Sequence, residues 1–192
     1  MSHSYSRMVV ACVLLLGAAP SILSAAKRSP RSDKPRHVPV ASIAASPEDV
    51  ASLDGIMKAY YEVGCGPAGQ PRQWARDRTL YIPGVRLAVT MDDASGKRVV
   101  RQLTHQEFVD LADPDMVKHG FYEHEIHRIT HRYGDWAEII STSEAHQTPN
   151  GPVTARAIDN VELFWDGKRW WIVYASITEE RPENSLPKEF LP

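Results

Sequence analysis

Histidine and glutamate, which can move protons or hold a metal ion, crowd one short segment of this sequence. The group consists of His119, His124, His127 and His131 together with Glu123 and Glu125. Ile126, Ile129 and Thr130 favour a strand over a helix here. The two-residue period of a strand then predicts that Glu125 and His127 are neighbours on one face. A buried carboxylate beside an imidazole is suited to general acid–base catalysis.

The same strand pattern argues against a metal site. Alternate residues step about 7 Å along a strand, whereas zinc ligands all lie within about 2.3 Å of one ion. The spacing also differs from the His-Glu-x-x-His motif of zinc proteases. We therefore expect no metal and no cofactor. A structural alternative stays open for Glu125, which is an ion pair with Arg128 or Arg156 on the sheet.

Other chemistries find less support in the residues. The sequence has no Gly-x-Ser-x-Gly motif and no cysteine in a catalytic signature. The glycines at 64, 66 and 69 follow a predicted helix, whereas a phosphate-binding loop lies between a strand and a helix. Residues 48–192 hold 16 basic and 23 acidic residues, a net charge of -7. This balance disfavours a nucleic-acid partner.

Residues 1–26 have the pattern of a secretory signal peptide. Arg7 precedes an apolar run from Met8 to Ala19, and Ser24-Ala25-Ala26 fits the small-x-small cleavage rule. Pro20 interrupts the run before it reaches the length of a membrane span. We expect export to the periplasm or the medium, with no membrane span after cleavage; an uncleaved anchor is the alternative. Cleavage would leave Cys65 as a lone thiol.

Residues 27–47 form a predicted linker, which holds five basic residues against one acid and is interrupted by prolines. No apolar period is present, so disorder is expected. One domain, residues 48–192, follows.

The domain pattern is α+β, with helices first and strands later. Ser46-Pro47-Glu48-Asp49 predicts a helix start, and apolar residues keep helical spacing through Tyr61. A capping-box pattern from Thr104 to Glu107 opens a helix that should end before Pro114. The other predicted elements are a short helix at 71–79 and strands at 85–90, 99–103, 121–132, 136–146, 153–165 and 169–179. The last residues, 182–192, should lie along the surface.

Several motifs resemble the nuclear transport factor 2-like superfamily, and its small SnoaL-like proteins most of all. The matching pieces are Gly66-Pro67-Ala68-Gly69-Gln70, Trp74 with Arg76 and Arg78, Pro83-Gly84-Val85-Arg86-Leu87, Phe121-Tyr122-Glu123-His124-Glu125-Ile126, the run from Phe164 to Val173, and Leu186-Pro187 to Leu191-Pro192. The resemblance covers about residues 48–192.

This resemblance implies a strongly curved antiparallel sheet wrapped around the N-terminal helices, enclosing a conical pocket. It also implies a homodimer formed through the sheet. The superfamily includes isomerases, cyclases, dehydratases and many binding proteins, so the fold alone assigns no activity. Acids that often flank the tryptophan of the second helix are replaced here by Gln73 and Ala75. The isomerase pattern has an aspartate near the first strand, but no acidic residue lies between Leu80 and Thr90 here.

The leading interpretation is an exported domain that binds a small apolar ligand in the cone. The predicted ligand-binding residues are Tyr60, Trp74, Tyr81, Glu125, His127, Arg156 and Asn160. One alternative is a proton-transfer enzyme acting on a carbonyl compound, with Glu125 or His127 as its base and Tyr60 as its hydrogen-bond donor. Another alternative is a dimeric interaction domain whose cone is filled by side chains.

Overall fold

The structure is a computed structural model, and it describes residues 37–192. The predicted signal segment and residues 27–36 lie outside the described residues. In chain order the elements are α1 (Pro47–Val50), α2 (Leu53–Glu62), α3 (Trp74–Arg78), β1 (Arg86–Asp92), β2 (Arg98–Thr104), α4 (His105–His119), β3 (Tyr122–Tyr133), β4 (Trp136–His146), β5 (Val153–Trp165), β6 (Trp170–Glu179) and a 3-10 turn (Lys188–Phe190).

The six strands form one curved, unclosed sheet in the order β2-β1-β6-β5-β4-β3. β3 to β6 make a continuous antiparallel meander, as the turn residues between them predict. β1 and β2 form a separate hairpin. It joins the meander through a short parallel pairing, Leu87–Ala175 to Val89–Ile177. The predicted α+β class with a curved antiparallel sheet is thus confirmed.

The inner face of the sheet is apolar over the half nearest the β3–β4 turn. Ile139, Val161 and Leu163 are fully buried there and share one cluster with Ile56 and Met57 of α2. Buried residues alternate with less buried ones along most of β4 and β5, which is the period expected of a half-buried strand. α2 is therefore the helix that the sheet encloses.

The predicted first helix is broken in two. Ala51 and Ser52 interrupt it, and the Ser52 hydroxyl accepts a hydrogen bond from the Gly55 amide at 2.9 Å. A serine that caps a helix in this way starts a new one. The apolar spacing ran through the break, so the periodicity alone did not reveal it.

α4 runs on to His119, and the expectation that it ends before Pro114 is wrong. The helix begins with the predicted capping box of Thr104 and Glu107. Its last turn, beyond the proline, is held from outside by Arg72, which donates to the Met116 carbonyl, and by the Gly69 amide. The helix stops at Gly120, which has φ 78°. In any other residue at this position, the Cβ would lie 2.6 Å from the Gln147 carbonyl oxygen.

Residues 37–46 lie along α3 and α4, so the expectation of disorder is wrong for this part of the linker. The Val38 amide donates to Asp110 at 2.8 Å, and the Val38 carbonyl accepts from Gln106 at 2.8 Å. Arg78 donates to the Val40 carbonyl at 3.0 Å. These polar contacts fix an extended segment whose sequence has no apolar period.

At the other end of the chain, residues 182–192 lie along the surface as predicted. The Thr142 hydroxyl of β4 donates to the Phe190 carbonyl at 2.7 Å, which places the 3-10 turn against the outer face of the sheet. Among residues 37–192, no helix has both the length and the apolar character needed to cross a membrane.

Candidate functional site

A β-bulge in β3 decides which side chains reach the interior. Glu125 is paired with Ser143 and His127 with Thr142, so Ile126 is an extra residue with no partner on β4. Directly opposed residues share a face. Ser143 is buried on the inner face, whereas Thr142 contacts Phe190 on the outer face. The bulge therefore keeps Glu125 inside and turns His127 outside.

The predicted Glu125–His127 neighbour pair is consequently wrong. The extra residue shifts the two-residue period by one, and Arg128 takes the place that His127 was expected to fill. Arg128 donates to both carboxylate oxygens of Glu125, at 2.6–3.0 Å, and to Asp54 of α2 at 2.6 Å. The structural alternative of an ion pair with Arg128 is the one that forms.

A line of four hydroxyl and carboxyl groups crosses the interior from β5 to β3. The Tyr61 hydroxyl lies 2.9 Å from Asp159 Oδ2 and 2.7 Å from Ser141 Oγ, and Ser141 Oγ lies 2.5 Å from Glu125 Oε1. Asp159 and Ser141 are 2% and 0% exposed. The line ties α2 to three neighbouring strands at the centre of the domain.

This line has three oxygen–oxygen contacts but only two hydroxyl hydrogens, so its hydrogen bonding depends on the protonation of Asp159. Each of its three oxygen–oxygen contacts requires one hydrogen, and the hydroxyls of Tyr61 and Ser141 supply two. Arg128 stabilises the charged form of Glu125. When Asp159 is protonated, it supplies the third hydrogen and donates to Tyr61, which donates to Ser141, which donates to Glu125. When Asp159 is ionised, Tyr61 donates to Asp159 instead.

The electrostatics of the interior agree with a protonated Asp159. Burial raises the pKa of Asp159 to about 7, although hydrogen bonds from Tyr61 and Tyr60 oppose the shift. Burial and the nearby charge of Asp159 raise the pKa of Glu123 to about 8. Ser143 donates to Glu123 at 2.8 Å. Among residues 37–192, no Lys, Arg or His forms a salt bridge with either carboxyl, so the neutral forms are favoured.

Cys65 lies at the edge of this interior. Its Sγ is 3.1 Å from the Tyr61 carbonyl oxygen and accepts from the Glu123 amide at 3.3 Å. Burial raises the pKa of the Cys65 thiol. The thiol is thus disfavoured as a nucleophile at neutral pH.

A second polar cluster joins α3 to the start of α4. His105 Nε2 lies 2.8 Å from Asp77 Oδ2, and the Tyr81 hydroxyl also hydrogen-bonds Asp77. All three residues are buried, with exposures of 8%, 2% and 6%. Burial raises the pKa of Asp77, and the two hydrogen bonds lower it. Among the described residues, His105 Nδ1 is a buried nitrogen with no hydrogen-bond partner.

His105 and Tyr81 line a groove of about 410 Å³. Its walls are largely apolar and include Ile82 and Trp171, and part of one wall is the ordered end of the linker at Ile43. Arg169 also borders it, stacked over the Trp171 ring with 3.6 Å between the guanidinium carbon and the ring centroid. Apolar walls with a few polar groups are typical of small-molecule sites.

The other predicted ligand-binding residues do not line this groove. Tyr60 packs edge-on against Tyr61 in the interior, and burial raises the pKa of its phenol. Trp74 is buried and donates to Asp113 at 2.6 Å. Arg156 and Asn160 lie on the outer face, where they contact Glu144 at 2.8 Å and Glu138 at 3.4 Å. Of the seven, the structure brings only Tyr81 to the groove.

Three residues of these two clusters are not among those predicted from the sequence: Asp159, Asp77 and His105. Asp159 stands among apolar residues at an inward position of β5, and a carboxyl in such a place is a detectable signal. Asp77 and His105 are 28 residues apart and meet only through packing of α3 on α4. No local sequence pattern indicates that Asp77 and His105 form a pair.

The extra proton makes stability depend on pH. The folded-state pKa values of Asp159 and Glu123 both lie above the ordinary values for these side chains. The stabilisation that their protonated forms give the folded state is therefore complete below about pH 4, and it is lost as pH rises through about 7 and 8. In Asp159→Asn the amide supplies the missing hydrogen at every pH. We expect this variant to exceed the wild type at pH 9 by about 2 kcal/mol in free energy of unfolding, measured by urea titration.

Glu162→Gln is the matched control, because Glu162 is an exposed carboxylate on the same strand. It should keep the wild-type dependence of stability between about pH 5 and 9. An Asp159→Asn protein whose stability falls with pH as steeply as that of the wild type would show that Asp159 is already ionised.

Comparison with known proteins identifies the fold. No protein-family model matches the sequence, and no curated protein matches it significantly. A crystal structure of a cystatin-like protein of unknown function from Nostoc punctiforme is similar over 73% of this chain and 97% of its own, with a TM-score of 0.52 and 8% identity.

Two further crystal structures, both called NTF2-like proteins of unknown function, are similar as well. One, from Shewanella baltica, covers 66% of this chain and 89% of its own, with a TM-score of 0.44 and 12% identity. The other, from Methylobacillus flagellatus, covers 73% and 98%, with a TM-score of 0.45 and 13% identity. The chain has the cystatin-like fold, with a curved antiparallel sheet of the kind that the resemblance implied.

Proposed function

We propose that this chain is an exported domain that binds a small, largely apolar molecule carrying an acidic group. The binding place is the groove bordered by Tyr81, His105 and Trp171. The observation that carries the proposal is this groove of about 410 Å³, which is lined in part by His105. Within residues 37–192, the buried Nδ1 of His105 has no hydrogen-bond partner. A volume of that size is within the usual range for small-molecule sites.

The walls indicate which ligand chemistry the groove favours. Ile82, Pro83 and Val85 provide apolar surface on one side, and the Trp171 ring provides it on another. Arg78 and Arg169 are the charged residues of the lining, and both are cations. A ligand with an apolar body and an anionic end would therefore fit both parts of the groove.

The dye 8-anilinonaphthalene-1-sulfonate is a suitable probe, because it joins aromatic rings to a sulfonate. Ala75 of α3 lines the groove, and Ala75→Leu would fill part of it. We expect this substitution to weaken dye binding at least tenfold, measured by fluorescence titration of the folded chain.

The matched control is Ala94→Leu, which adds the same side chain at an exposed turn position between β1 and β2. It should leave the dissociation constant unchanged. Equal dye affinity for Ala75→Leu and the wild type would place the binding site elsewhere and refute the proposal.

Proton transfer on a carbonyl compound is the second candidate function, and one observation favours it. Asp77 holds Nε2 of His105, which leaves Nδ1 as the basic nitrogen beside the groove. A carboxylate that orients an imidazole in this way is the arrangement of many general bases. The base is therefore assigned to His105, because the bulge separates Glu125 from His127.

Export rests on residues 1–26, with Arg7, the apolar run and Ser24-Ala25-Ala26 as its support. Expression of the full chain in a host with a general secretion pathway should yield a periplasmic or secreted product that begins at Lys27. Mass spectrometry of each cell fraction measures this. A product of full-length mass, or one confined to the cytoplasm, would contradict export.

We also propose that two copies associate through the outer face of the sheet. Trp136, Phe164 and Trp171 follow one another across that face by strand register, and Trp136 is 50% exposed. Large exposed aromatics are enriched in interfaces.

Light scattering on a sizing column tests this association. Trp136→Glu should halve the measured mass, whereas Val100→Glu, at an exposed position on β2, should leave it unchanged. A wild-type chain that runs as a monomer at high concentration would refute the dimer.

A further inference from the structure

We propose that His124, Glu144 and His146 form a binding site for a divalent transition metal such as Zn²⁺. The three side chains lie on the outer face, at the end of the β3–β4 pair remote from Trp136. One ligand atom of each lies within 4.8 Å of those of the other two. This site is independent of the groove and of any activity there.

Strand register brings the three residues together. His124 is directly opposite Glu144, and His146 is opposite Tyr122, two residues before His124. Side chains at such direct and diagonal positions are within contact distance across an antiparallel pair. A search for ligands along one strand misses this arrangement, because one of the histidines is on the neighbouring strand.

His146 is already oriented as a ligand. Its Nδ1 lies 2.9 Å from the Gly151 carbonyl oxygen, which can only accept, so Nδ1 carries the hydrogen. Nε2 is then the lone-pair nitrogen. Among the described residues, Nε2 is a buried nitrogen with no hydrogen-bond partner. A backbone carbonyl that fixes the ring through its other nitrogen is the usual second contact of a metal-bound histidine.

His124 and Glu144 complete the donor set. The His124 ring is stacked on the His146 ring, with centroids 5.3 Å apart and planes 10° from parallel. His124 is exposed, so its ring can rotate to bring the nitrogens closer. Tetrahedral zinc holds its ligands about 3.4 Å from one another, so a small movement of His124 suffices.

The charges around the site are compatible with a cation. Glu144 Oε1 accepts from Arg156 at 2.8 Å, which orients the carboxylate and leaves its second oxygen for an ion. Glu180 lies 3.8 Å from Arg156 and offsets the guanidinium charge. Two imidazoles and one carboxylate are borderline ligands that suit Zn²⁺, with water in the fourth position.

Titration with Zn²⁺ tests the site, using the full chain purified without a polyhistidine tag. Calorimetry should show one equivalent bound to the wild type. His124→Ala removes an exposed side chain, so it should fold normally and bind at least tenfold more weakly. His146→Ala should lose binding as well, and Co²⁺ should give a visible d–d spectrum with the wild type but with neither of these two variants.

His131→Ala is the matched control. His131 is on the same strand and faces Glu138 at 3.2 Å, an exposed His–Glu pair outside the proposed trio. This variant should bind Zn²⁺ as the wild type does. Unchanged affinity in His124→Ala, absence of saturable binding by the wild type, or an equal loss in His131→Ala would each overturn the proposal.

Discussion

A buried line of hydrogen bonds joins α2 to the sheet at the centre of the domain. Asp159, Tyr61, Ser141 and Glu125 share three short contacts that two hydroxyl hydrogens cannot fill. Burial of Asp159 provides the missing hydrogen, because a neutral carboxyl costs less free energy to bury than a carboxylate. The resulting line fixes α2 against β3, β4 and β5.

The bulge at Ile126 determines which β3 side chains face the interior. It places Arg128 beside Glu125, where its guanidinium also reaches Asp54 of α2. Breaking such a partly buried ion pair by removing one partner leaves a charge without compensation. Side chains that bind one another thus occupy the interior. The groove lies beside it, between α3, the start of α4 and the start of β6. The interior and the proposed binding groove are therefore different parts of the same fold.

Much of the fold was predictable from local patterns. The strands at 136–146 and 153–165 and the capping box at Thr104 were predicted from patterns a few residues long, and each was confirmed. The bulge was not predictable, since Ile126 fits a regular strand as well as an extra position. The continuation of α4 through Pro114 depends on Arg72 and Gly69, which are more than 40 residues away in the chain. Contacts that arise only in the folded chain have no local signature.

The candidate sites follow the same rule. Glu125 was correctly placed inside, but its neighbour was not, because one extra residue reverses every later side chain. The pairs His105–Asp77 and His124–His146 both join distant parts of the chain. Tyr81 was predicted from its residue type and the resemblance. It lines the groove, its hydroxyl donates to Asp77, and burial raises the pKa of its phenol.

The most direct test of ligand binding in the groove is an NMR titration of the isotope-labelled chain with 8-anilinonaphthalene-1-sulfonate. The account predicts that the Trp171 indole and His105 ring signals shift together and saturate, while the Trp74 indole and the Tyr60 ring stay unchanged. Shifts at Trp74 and Tyr60 without any at Trp171 and His105 would contradict it and place the ligand inside the cone.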